Sequence, residues 1–173
     1  MWRVQRVNAE GNDGVMMQSG GMVRVLAVSG NSNTGKTTLL EALVREMKKR
    51  GLKVFVVKHG RHFSWSGGNG SKDTERLWNS GAEVAFLSEG FTYIALRREF
   101  ELEEFVELIS EICGVDVILL EGFRKKKVRK IVILDEKSRV EDFEGEILMV
   151  LRKEDVLSGR VDAGKIVDRI LRG

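Results

Sequence analysis

The 173-residue sequence has no proline, one cysteine and two histidines, and only 7% of it is aromatic. Average usage near 5% would place roughly eight or nine prolines in such a chain, so the turns must rely on Gly, Asn, Asp and Ser. A single thiol excludes an intramolecular disulfide. Cys113 falls on the apolar face of an expected helix, where a buried, inert thiol is the simplest reading. His59 and His62 stand at H-x-x-H spacing, but a structural zinc asks for about four N or S ligands, so none is expected there. Long apolar runs are missing as well. Val54 to Val57 and Val117 to Leu120 stop at strand length, short of the roughly 18 residues of a membrane helix. Arg3, Arg6, Glu10 and Asp13 interrupt the apolar stretch that a secretory signal would need, and a cytoplasmic location is expected. With 29 basic and 26 acidic residues the net charge is only +3, which gives no sign of a dedicated nucleic-acid binder.

What is present, 42% hydrophobic and 32% charged residues, suits a globular domain with a full-sized core. Residues 1–21 are polar and without period and read as an N-terminal extension; residues 22–173 read as a single domain. Val23 to Val28 reads as a buried strand. Thr37 to Arg50 follows as a helix with Leu39, Leu40, Leu43, Val44 and Met47 on one face, closed by Gly51. Lys53 to Lys58 is a second strand, and the strand–helix–strand order implies a parallel pair. A short helix near Lys72 to Ser80 precedes a hairpin of Glu83 to Leu87 and Phe91 to Leu96. A packing helix, Glu101 to Ile112, turns Leu102, Phe105, Val106, Ile109 and Cys113 inward. Strands at Asp116 to Glu121, Lys130 to Leu134 and Ile147 to Leu151 and a helix near Asp162 to Leu171 complete an α/β fold.

Gly30-Asn31-Ser32-Asn33-Thr34-Gly35-Lys36-Thr37 matches G-x-x-x-x-G-K-[ST] between a strand and a helix, where a Walker A loop belongs. A chance match in such a chain is on the order of one in a hundred, and the correct flanks lower that further. Backbone N–H groups and the helix N-terminus would meet phosphate oxygens, Lys36 would reach the β and γ phosphates, and Thr37 would offer its hydroxyl to Mg²⁺. Asn31 occupies the place where partitioning ATPases carry an extra lysine, and no N-K-x-D motif is present, so guanine and adenine both stay open.

Val117 to Glu121 is a buried run ending in a carboxylate, the layout of a Walker B strand, which makes Glu121 the metal-side candidate; Asp116 reads as structural. Ligands of open α/β sheets sit beyond the carboxyl ends of the strands, so Lys58, His59, Glu121 and the glycine loop should gather at one edge. Asp73, at a helix start, fits a cap or a catalytic role equally. Six of the seven residues from Arg124 to Lys130 are basic. This is either a solvated turn or a contact for a phosphate-bearing ligand or an acidic partner protein; without interleaved aromatics, nucleic acid is not favoured.

Four blocks together resemble the molybdopterin-guanine dinucleotide biosynthesis protein B family of small P-loop GTPases. They are Val28 to Leu40 with Gly-Lys-Thr-Thr-Leu, Gly51 to His62 with Lys-His-x-x-His, Lys72 to Ala82 with Lys-Asp-Thr through Ser-Gly-Ala, and Asp116 to Arg124 with Leu-Glu-Gly-Phe-Arg. Phe63 stands where the family often has an acid, the loop before Lys72 lacks proline, and residues 1–21 have no family counterpart. The resemblance implies a P-loop NTPase fold, a mostly parallel twisted sheet with helices on both faces. It also implies a dimer that binds GTP and Mg²⁺, hydrolyses slowly and assists a partner guanylyltransferase in converting molybdopterin to its guanine dinucleotide. The nucleotide would lie on Gly30, Asn31, Ser32, Asn33, Thr34, Gly35, Lys36, Thr37 and Thr38 with His59 nearby, Mg²⁺ on Thr37 and Glu121, and the chemistry on Lys36, Glu121, Asp73 and Lys58. The alternative is a P-loop kinase of a small metabolite, although no dedicated lid segment is evident.

Overall fold

The computed structural model describes residues 15–18, 21–60 and 72–172. They belong to two compact units, residues 1–59 with 106–173 and residues 60–105. In chain order the elements are β1 (Val15–Gln18), β2 (Gly21–Gly30), α1 (Lys36–Lys49), β3 (Val54–Lys58), α2 (Lys72–Asn79), β4 (Val84–Ser88), β5 (Phe91–Ala95) and α3 (Leu102–Cys113). Then follow β6 (Val117–Glu121), β7 (Lys130–Leu134), β8 (Ile147–Arg152), α4 (Lys153–Leu157) and α5 (Ala163–Arg172).

The first unit is a sheet of five parallel strands in the order β3-β6-β2-β7-β8. β1 adds to β2 antiparallel, from Val15 opposite Arg24 to Gln18 opposite Gly21, within the residues read as an extension. Arg24 pairs with both Val15 and Val117, so β1 lies on the β7 side of β2, ahead of the point where β7 joins at Ala27. Central parallel strands are covered on both faces, which explains why β6 is an unbroken apolar run buried at every position. On one face Leu26, Val28, Leu119, Ile131 and Ile133 meet Leu39, Leu40, Leu43 and Met47 of α1 and Ile166, Val167 and Ile170 of α5. The opposite row, Ala27, Ile118, Leu120 and Val132, is equally buried. The register sets Val28, Lys58 and Glu121 abreast at the carboxyl ends of three adjacent strands.

α1 carries the expected face, with Val44 half-buried at its margin, and Gly51 at φ 78° lets Leu52 N–H reach back to the Met47 carbonyl at 3.1 Å. α3 buries Leu102 and Val106 as expected. The reading of Cys113 is corrected: it is exposed, because the helix ends there and Gly114, at φ 55°, redirects the chain so that Val115 takes the buried place. In the second unit β4 and β5 form the expected hairpin, Val84 opposite Ala95 and Ser88 opposite Phe91, turning through Gly90 at φ 76°. There Arg97 lies over the Trp78 ring at 4.0 Å. No helix among the described residues is long and apolar enough to cross a membrane.

Candidate functional site

β2 ends at Gly30 and α1 begins at Lys36, and the chain between them turns through left-handed conformations at Asn33 (φ 60°) and Gly35 (φ 89°). Asn tolerates that region better than most side chains, and glycine has no Cβ to resist it. Gly35 gives α1 no side-chain cap, and the first turn carries no acidic residue to offset the positive end of the helix. The buried Thr34 hydroxyl donates to the Asn31 carbonyl at 2.9 Å, and Lys36 Nζ donates to the same oxygen at 2.5 Å. Ser32, Asn33, Thr37 and Thr38 are exposed on the loop and the first turn.

Glu121 is the hub beside it. The residue is only 9% exposed, so its carboxylate needs partners, and among the described residues it has Thr37, whose Oγ1 donates to Oε2 at 3.1 Å, and Lys58, whose Nζ pairs with Oε1 at 3.2 Å. Its carbonyl accepts the His59 N–H at 3.1 Å, and the His59 ring meets that of Phe123 at 5.4 Å between centroids. The Ser29 hydroxyl donates to the Gly122 carbonyl. Phe123 has φ 49°, a strained conformation for a bulky residue, in the turn that follows the carboxylate. Burial holds the Lys36 ammonium below the usual lysine range; Glu121 opposes that shift and the positive charge of Lys58 adds to it. An anion placed at Lys36 would relieve this cost.

The structure thus brings Lys36, Thr37, Lys58, His59 and Glu121 together with the glycine loop. Asp73 lies in the second unit, in the first turn of α2, where it pairs with Arg76 at 3.6 Å with both side chains exposed. His62 and Phe63 lie outside the described residues. Asp116 is structural, its carboxylate accepting the Lys53 N–H at 2.7 Å at the start of β3.

The basic stretch is neither free nor uniformly solvated. Arg124 pairs with Asp142 at 2.9 Å, Lys125 with Glu144 at 3.7 Å and Arg129 with Glu146 at 3.2 Å. Lys130 is fully buried and its Nζ donates to the carbonyls of Phe123, Arg124 and Lys126 at 3.2, 3.1 and 3.0 Å. That burial lowers its pKa. Its task is to hold the turn, which explains why a lysine starts a central strand. Asp135, Ser138 and Asp142, which brace the loop through Asn31 and Arg124, went unnoticed in the sequence because no local pattern marks them.

A parallel sheet with a complete glycine loop between β2 and α1, and a buried carboxylate at the end of the neighbouring strand, define a P-loop NTPase fold. The chain belongs to the family described as molybdopterin guanine dinucleotide synthesis protein B, MobB, whose model matches residues 25–151. It is 32% identical over 139 residues to a Bacillus subtilis protein named "Probable molybdopterin-guanine dinucleotide biosynthesis adapter protein", covering 76% of this chain and 78% of that one. An Escherichia coli molybdopterin-guanine dinucleotide biosynthesis adapter protein is 29% identical over 116 residues, with 65% and 66% covered. Among solved structures, one of molybdopterin-guanine biosynthesis protein B superposes with a TM-score of 0.60 at 28% identity, covering 84% of this chain and 98% of the other. Bacillus subtilis MobB superposes with a TM-score of 0.65 at 24% identity, covering 84% and 96%.

Proposed function

We propose that this chain is a GTP-binding adapter of molybdenum cofactor synthesis, working as a homodimer in the cytoplasm. It holds Mg-GTP on residues 30–37 and assists a partner guanylyltransferase in converting molybdopterin to the guanine dinucleotide, with slow hydrolysis. The observation that carries the reading is the contact of the Thr37 hydroxyl with the buried Glu121 carboxylate beside a complete glycine loop. Hydroxyl and carboxylate oxygens are the hard donors that suit Mg²⁺, and the loop bends where a Cβ at Gly30 would collide with the Ile133 carbonyl and the Thr34 hydroxyl, both 2.7 Å away. The residues present therefore fit both groups.

Thr37 and Glu121 would hold the ion, whose chemistry when bound is to neutralise charge on phosphate oxygens. Lys36, at present on the Asn31 carbonyl, exchanges that acceptor for a phosphate oxygen and gains a charge-assisted bond. Lys58 steadies Glu121 as its carboxylate reorients. Glu121 with Lys58 would orient water or the pterin ligand, and His59 lies beside Glu121 next to the loop.

Titrating GTP and ATP side by side, with and without Mg²⁺, tests base preference and metal need together. GTP is expected to bind more tightly and only with Mg²⁺, and Lys36→Ala to weaken it by about tenfold or more through loss of a charge-assisted bond. Unchanged GTP affinity in Lys36→Ala would overturn the reading.

A further inference from the structure

Asn31, the second residue of the glycine loop, is gripped at both ends of its side chain. Its Nδ2 donates to the two carboxylate oxygens of Asp135 at 3.1 and 3.2 Å, and its Oδ1 accepts from Arg124 Nη1 at 3.2 Å. Each partner is itself fixed. Arg124 donates through Nε to the Asp142 carbonyl at 2.8 Å, pairs through Nη2 with the Asp142 carboxylate and lies over the Phe143 ring at 4.6 Å. Asp135 Oδ1 accepts from the Ser138 hydroxyl at 2.8 Å and from the Lys137 N–H at 3.1 Å. A primary amide offers an acceptor to the cation at one end and a donor to the anion at the other, so Asn31 has only one satisfied orientation.

That orientation matters because of what the same residue does with its backbone. The Asn31 carbonyl is where both Lys36 and Thr34 rest. The turn after β6 supplies Arg124, the turn after β7 supplies Asp135, and the loop after β2 lies between them, so one amide ties three strand ends together.

We propose that Asp135, acting with Arg124, is a positioning residue for the nucleotide loop: it fixes the Asn31 amide, and through it the bend that Lys36 leaves when a triphosphate arrives. This rests on the reading that residues 30–37 take a nucleoside triphosphate. A loop held in its binding shape loses less freedom when the ligand binds, so the brace appears as affinity.

The test is titration of Mg-GTP into the full-length wild type, Asp135→Ala, Asp135→Asn, Asn31→Ala and the double variant Asn31→Ala/Asp135→Ala. Asp135→Ala is expected to weaken binding about tenfold, the scale of one lost charge-assisted hydrogen bond. Asp135→Asn keeps an acceptor oxygen and is expected to stay within about threefold of wild type. The double variant should be no weaker than the weaker single one, because both substitutions break the same link. Full affinity in Asp135→Ala or in Asn31→Ala overturns the inference. So do losses that multiply in the double variant, which would leave Asp135 bracing only its own turn with Ser138. Should Asp135→Ala not fold, Asn31→Ala and Asp135→Asn still decide: the expected pair is loss in the first and retention in the second, and any other pair overturns the inference. A wild type that takes up no nucleotide overturns the functional reading as well, whereas a binding wild type with a full-affinity Asn31→Ala sinks this inference alone.

Discussion

Gly30 shows how little room the loop has at the scale of single atoms. It pairs with Ile133 across β2 and β7, and neither neighbour of an added Cβ can retreat, since the Ile133 carbonyl is backbone of a fully buried residue in an interior strand and Thr34 is fully buried. Gly30→Ala should therefore cost about 1–3 kcal/mol, as overpacking does, and weaken nucleotide uptake with it. Denaturant unfolding measures the first effect, and a midpoint equal to wild type would refute the argument. Gly51 makes the contrast: a Cβ there meets nothing within 4 Å, and only its φ of 78° resists a side chain. The loop's residues could be read from the sequence because their chemistry is contiguous, seven positions from Gly30 to Lys36 and on to Thr37. Asp135 could not. It lies 104 residues from Asn31, and only the pairing of β2 with β7 closes that distance. Lys130 was misleading for a related reason, since the residues before it in sequence form a run of cations while its neighbours in space are three carbonyls.

Elements were legible wherever a period or a long apolar run announced them. α1, β6 and β7 match their sequence signals closely because each is buried along a face or throughout, so composition follows position. α4 escaped notice, as five residues are too few to display a helical period, yet Val156 from it sits under Gly35 and supports the loop from below. β1 escaped for the opposite reason, its four residues lying in a polar, glycine-rich surround. The element on which the site depends most is α1, because its first turn carries Lys36 and Thr37 while its apolar face anchors it to the sheet and to α5. Leu43 lies at the middle of that face and is fully buried, so Leu43→Ala is expected to destabilise the fold by about 3 kcal/mol. Equilibrium unfolding in urea would show the loss as a lower midpoint. A change under about 1 kcal/mol would mean that the helix is held by something other than this face.

Across the whole molecule the charges nearly balance, and much of that balance is local: cations on the turn after β6 face acids on the segment before β8. This arrangement makes the protein's response to acid a property of a few carboxyls. Asp142 accepts the Arg139 N–H at 2.9 Å and lies beside Arg124, and these contacts, the Arg139 bond foremost, hold its carboxyl below the ordinary range. Asp135 is lowered likewise, first by the Ser138 hydroxyl and then by the Asn31 amide. A carboxyl whose folded value is depressed binds its proton less readily in the native state than in the unfolded chain. Its stabilisation is therefore complete above the unfolded value of about 3.9 and is lost as pH falls through the lower folded value. Asp142→Asn removes that titration but keeps an acceptor for the Arg139 N–H. Urea unfolding at a series of pH values between about 5 and 2 should accordingly give a shallower decline in stability for Asp142→Asn than for wild type below about pH 4. Parallel curves would show that the Asp142 carboxyl titrates alike in both states, and that the pairing of the two turns leaves the acid stability of the fold unaffected.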